Sequence, residues 1–177
     1  MRVLVAYDGG EAGERAIAAI ASWVRTTDAD VHMFTILNPS DVHETSMPHG
    51  VHAFTPAATA TGTVLHVSEP IPPLAEDRTH AFERARTEAE ERLRDVARRN
   101  FPGVSLAVHA EVADHPAAEA IIAEARRLGA DVIAIGTHSR TGLRHALMGS
   151  VAEAVVRSSP IPVLVIGPGV SVTATAG

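Results

Sequence analysis

Between an apolar run and a helical pattern this chain carries a long loop that contains glycines. The run is Val132-Ile133-Ala134-Ile135. The loop reads Gly136-Thr137-His138-Ser139-Arg140-Thr141-Gly142-Leu143-Arg144-His145-Ala146-Leu147-Met148-Gly149-Ser150, and the helical pattern is Val151 to Val156. Buried strand, loop and helix start form the order of a βα unit. An ordinary βα connection runs about 2–6 residues; this one is far longer, which favours a binding loop over a plain connection. Glycines let the backbone turn sharply and approach a ligand closely. A helix N-terminus offers free N–H groups and a partial positive charge. The loop also holds Arg140 and Arg144, and no Asp or Glu occurs between Asp131 and Glu153. A phosphate suits that chemistry.

The same alternation of strand and helix runs through the chain. Arg2 to Tyr7 is an apolar run that ends at Asp8-Gly9-Gly10, as a fully buried parallel strand does. A first helix follows, with Ala16, Ile17, Ile20, Ala21 and Val24 on one face. Val31 to Leu37 is a second strand, ended by Asn38-Pro39-Ser40. Residues 41–73 carry Pro48, Gly50, Pro56, Gly62, Pro70, Pro72 and Pro73 and read as an irregular insertion, in which Thr63 to Val67 can form a short strand. Glu76 to Arg99 reads as a long helix with Phe82, Ala85, Ala89, Leu93 and Val96 on its buried face. Val104 to Ala110 alternates, as a half-exposed edge strand does. Pro116 suits the first turn of a helix that stops at Gly129. Asp131 to Gly136 is a fourth strand, Ile161 to Ile166 a fifth, and residues 170–177 a flexible tail. Such alternation implies an α/β fold, an open parallel sheet of five strands with helices on both faces. Residues 1–169 would form one domain.

Composition bounds the function. A chain of 177 residues can bury a sizeable core. The net charge of −6 argues against nucleic-acid binding. No apolar run is long enough to span a bilayer, and no signal peptide precedes the first strand, so a cytoplasmic protein is expected. Cysteine is absent, which removes disulfides and thiolate metal sites; lysine is absent too, which removes a P-loop or Schiff-base lysine. Walker A, GxGxxG and GxSxG patterns are missing. The ten histidines show no HxxxH spacing of a metal-binding helix, so no metal site is expected; His138 and His145 lie in the loop, where protonated imidazole could pair with phosphate.

The loop, with DVIAIGTHSRTGL before it and GSVAEAVVRSSPIPVLVIGP after it, resembles the universal stress protein family, as does the opening VLVAYDGGEAGERAI. Nucleotide-binding members carry Gly, two residues, Gly, nine residues, then Gly-Ser or Gly-Thr. Gly136, Gly149 and Ser150 fit that spacing, and Ser139 stands where the second glycine would be. The resemblance implies a doubly wound sheet in the order 3-2-1-4-5, with the order reversing between strands one and four. Ligands of such sheets bind beyond the strand C-termini at that reversal. It further implies an adenine nucleotide, ATP or AMP, with Mg²⁺ carried through the phosphates. Asp8 would take the ribose hydroxyls, Ala6 and Tyr7 would line the site through backbone, and the main chain of Ile36 would meet the adenine. Gly136 would let the ribose approach. Ser139 and Arg140 would face the phosphates, and Gly149, Ser150 and Val151 would offer N–H groups.

Each residue also has a plainer role. Asp8 suits a turn before Gly9, Ile36 suits core packing, and Ser150 suits a helix cap. The loop has no carboxylate to activate water, so slow ATP hydrolysis is the most that is expected. The leading reading is a nucleotide-dependent stress-response sensor or regulator. The others are a dimeric interaction module without nucleotide, and a slow ATP hydrolase. The apolar stretch 161–166 would sit at a sheet edge and invite strand pairing. A homodimer built on Val163, Val165 and neighbouring residues is expected, with the nucleotide sites outside the contact and further protein partners unnamed.

Overall fold

The computed structural model describes residues 1–40, 42, 54–59, 62–67, 75–137 and 149–167. In chain order the elements are β1 (Arg2–Ala6), α1 (Glu11–Val24), β2 (Asp30–Leu37), β3 (Phe54–Thr59), β4 (Gly62–Val67), α2 (Ala75–Asn100), β5 (Leu106–Val112), α3 (Ala117–Leu128), β6 (Val132–Gly136), α4 (Ser150–Ser158) and β7 (Val163–Ile166). Five strands form one parallel sheet in the order β5-β2-β1-β6-β7. Counting only those five along the chain, this is the order 3-2-1-4-5, and it reverses between β1 and β6.

The central strands are apolar because both of their faces are covered. Val3, Val5, Val31 and Met33 meet Ile17, Ile20 and Val24 of α1 and Leu93 and Val96 of α2 in one buried cluster. Leu4, Phe34, Ile133 and Ile135 meet Ile121, Ile122 and Ala125 of α3 and Val155 of α4 in the other. Neighbours on one strand thus face opposite layers, as the strand period requires. Helix α1 buries Ala16, Ile17, Ile20, Ala21 and Val24, the stripe its spacing predicts.

Several boundaries differ from the sequence reading: the first strand ends at Ala6 rather than Tyr7, and the last starts at Val163 rather than Ile161, whose N–H bonds to Ser159 Oγ at 3.0 Å. The edge strand runs Leu106–Val112 rather than Val104 to Ala110, because a turn with Val104 N–H bonded to Phe101 O, at 3.3 Å, takes up its expected start. Pro116 is the cap residue of α3, one position before its first helical residue. Within the stretch read as irregular, β3 and β4 pair antiparallel, from Phe54 beside Val67 to Thr59 beside Gly62. The short strand at Thr63 to Val67 therefore has a partner. Pro56 sits in that partner; a two-stranded ribbon tolerates it because each strand has an open edge.

Candidate functional site

The register brings the ends of β1, β2 and β6 together. Ala6 lies beside Phe34 of β2 and Ile135 of β6. Tyr7 N–H still bonds to Phe34 O at 2.9 Å, and the chain then leaves the sheet at Asp8. Gly136 closes β6 opposite Ile166, and Thr137 N–H continues that ladder to Ile166 O at 2.9 Å. Asp8 and Gly136 therefore leave adjacent strands at the C-terminal side of the sheet, where the strand order reverses.

Asp8 is exposed and ends in a tight turn: its Oδ1 accepts a hydrogen bond from Gly10 N–H at 3.0 Å. The turn role expected of this residue is therefore present. Gly9 has φ of 78°, a left-handed conformation that favours glycine. Helix α1 starts immediately beyond. Its Gly13 faces the turn so closely that a β-carbon there would lie 2.7 Å from Asp8 Oδ1 and 2.9 Å from Tyr7 Cδ2. The half-buried Tyr7 donates its hydroxyl to Glu14 Oε1 at 2.6 Å. Burial first, and then that hydrogen bond to a carboxylate, push the Tyr7 hydroxyl pKa well above its ordinary value.

Ala6 and Ile36 are half-buried and pack against the cluster beneath α3 and α4, so Ile36 has its packing role. Helix α4 runs from the C-terminal side of the sheet back toward the start of β7, so its N-terminus opens on the same side as Asp8. Gly149 is its cap residue, with φ −56° and ψ 147°, and among the described residues no side chain caps the helix. Ser150 is the first helical residue rather than the cap, and both it and Val151 are exposed. The first-turn N–H groups of α4 are thus left without the side-chain acceptor that serine or aspartate would bring at the cap position.

Ser139 and Arg140, together with His138 and His145, lie outside the described residues. Of the residues expected to line the site, the structure places Ala6, Tyr7, Asp8, Ile36 and Gly136 at the strand ends and Gly149, Ser150 and Val151 at the start of α4. Sequence reasoning passed over Gly13 and Glu14; the one available signal was a glycine inside a helical pattern. Among the described residues no group of three His, Asp or Glu side chains is arranged to hold a metal ion. Nor is any described helix long and apolar enough to cross a membrane.

The architecture is that of doubly wound α/β proteins, which as a class bind ligands beyond the strand C-termini where the strand order reverses. The family model of the universal stress proteins matches residues 49–167, and the chain belongs to that family. It is 27% identical over 177 residues to the stress response protein NhaX of Bacillus subtilis, covering 93% of this chain and 96% of that one. The solved structure of MJ0577 from Methanocaldococcus jannaschii superposes with a TM-score of 0.63 at 19% identity, covering 96% of this chain and 97% of the other. A universal stress protein solved in complex with cAMP superposes with a TM-score of 0.53 at 16% identity, covering 94% and 96%.

Proposed function

We propose that this protein binds an adenine nucleotide, ATP or AMP, and uses it as a stress-response sensor or regulator. One observation carries the reading: the Asp8 turn and the start of α4, which no side chain of the described residues caps, open on the same side of the sheet, at the reversal of strand order. A carboxylate at a strand end takes ribose hydroxyls, and a helix start takes phosphate. The complex of a related protein with cAMP supports a nucleotide of this class. Asp8 would hold the ribose, with Ala6, Tyr7 and Ile36 lining the base side and Gly136 giving room. Ser139, Arg140 and the N–H groups of Gly149, Ser150 and Val151 would hold the phosphates, and Mg²⁺ would arrive with them. ATP hydrolysis would be slow at most. A cytoplasmic homodimer paired through residues 161–166 completes the proposal.

The test is direct. Protein purified without added nucleotide is denatured and its supernatant chromatographed for AMP and ATP; calorimetric titrations then compare wild type with Gly149→Arg. The long arginine side chain would cover the first turn of α4, so binding should be lost while the fold stays intact. Equal affinities would remove the start of α4 from the site.

A further inference from the structure

Gly13 stands in the first turn of α1, a place where alanine would form the better helix. Space explains the glycine. A β-carbon would lie 2.7 Å from Asp8 Oδ1 and 2.9 and 3.0 Å from Cδ2 and Cε2 of Tyr7, closer than such contacts come. All three atoms belong to side chains, so an added methyl would push aside a carboxylate and a ring, not the backbone. The two groups are already oriented from elsewhere. Gly10 N–H bonds to Asp8 Oδ1 at 3.0 Å, and Glu14, next on the helix, takes the Tyr7 hydroxyl at 2.6 Å. The bare backbone of α1 is the floor on which both rest.

We infer that Gly13 is a positioning residue of the nucleotide site, seating the Asp8 carboxylate in the orientation that receives the ribose hydroxyls, with the Tyr7 ring wedged beside it. The inference rests on the adenine-nucleotide reading above. A methyl at this position costs the helix nothing, because alanine favours helix, so its effect should fall on the site rather than the fold. Tyr7 is the only tyrosine of the chain, so its ring signals in a tyrosine-labelled sample report this contact alone.

The experiment compares wild type, Gly13→Ala and Asp8→Asn by AMP and ATP calorimetry, thermal unfolding and NMR of the labelled ring. Gly13→Ala should bind about tenfold more weakly, the loss of one hydrogen bond to a charged group. It should melt no lower than wild type, and its Tyr7 ring signals should move. If wild type binds and Asp8→Asn is weakened, but Gly13→Ala binds like wild type, the inference is overturned and the nucleotide reading stands. A lower melting temperature for Gly13→Ala makes the glycine a packing device and overturns the inference as well. A wild type that binds neither nucleotide overturns the reading and the inference together.

Discussion

Glu124 shows how one buried residue can tie a helix to the edge strand that precedes it. It is buried, 5% exposed, on α3, yet three donors reach it. Arg127 binds it bidentately, Nε to Oε2 at 2.6 Å and Nη2 to Oε1 at 2.7 Å. His109 of the edge strand β5 lies with Nδ1 3.0 Å from Oε1. An ionised carboxylate only accepts, so Nδ1 carries the proton. The hydrogen bonds from Arg127, aided by the charge of His109, outweigh burial and hold the Glu124 pKa below its ordinary value. A carboxylate whose folded pKa is depressed contributes fully above its unfolded pKa and loses that contribution as pH falls through the folded value. Glu124→Gln should therefore cost about 1–2 kcal/mol at neutral pH, as the loss of charged hydrogen bonds does. The gap to wild type should narrow as pH drops below the ordinary glutamate range. Urea denaturation at a series of pH values would show it; a gap that stays constant into acid would mean that the charge of Glu124 does not stabilise the fold.

At the scale of elements, helix ends carry information that can be tested separately from the site. Helix α3 ends on Gly129, at φ 63°, with Gly129 N–H bonded to Arg126 O at 3.0 Å and Ala130 N–H to Ala125 O at 2.9 Å. Gly129→Ala meets only the Arg2 side chain, at 3.8 Å, so strain and not crowding sets its cost. A destabilisation of about 1–2 kcal/mol is expected from the left-handed conformation, with nucleotide affinity unchanged; a neutral substitution would show that the cap relaxes. The elements also show what the sequence could say. Strands β1, β2 and β6 are legible as apolar runs because layers cover both faces, β7 is legible as an apolar run although Leu164 stays exposed, and Gly129 marks its helix end by its left-handed conformation. Asp8 and Gly136 are legible as site candidates because they follow such runs. Strand β3 is not, because Phe54–Thr59 mixes threonine, alanine and Pro56 without an apolar run. The start of β5 is displaced by a turn that alternation does not reveal. Gly13 and the Glu124–His109 contact are illegible for a different reason: each depends on atoms brought together only by the fold.

At the scale of the whole molecule the open edge of the sheet matters most. Among the described residues β7 is the last strand beside β6, and its apolar composition is that of a strand with neighbours. Pro162 O accepts Ile133 N–H and Ile166 O accepts Thr137 N–H, each at 2.9 Å. In a parallel ladder the backbone groups of alternate residues face alternate sides. Pro162, Leu164 and Ile166 thus bond inward, and Val163 and Val165 turn their N–H and C=O groups to the open edge. Pro162 takes no donor from that edge. The side chains of Val163 and Val165 pack against the cluster beneath α3 and α4, whereas Leu164, on the other face, is 36% exposed. A second copy placed antiparallel about a two-fold axis would pair Val163 and Val165 through their backbones and cover Leu164, a closed and self-complementary contact. We expect a homodimer on this basis, and two substitutions separate its parts. Val165→Pro removes an outward donor at an edge position where proline is tolerated; Leu164→Arg places a charge in the contact without entering either core. Light scattering over a range of concentrations should show a dimeric wild type and a shift toward monomer in both variants. A monomeric wild type, or a dimer indifferent to both changes, would move the contact away from β7.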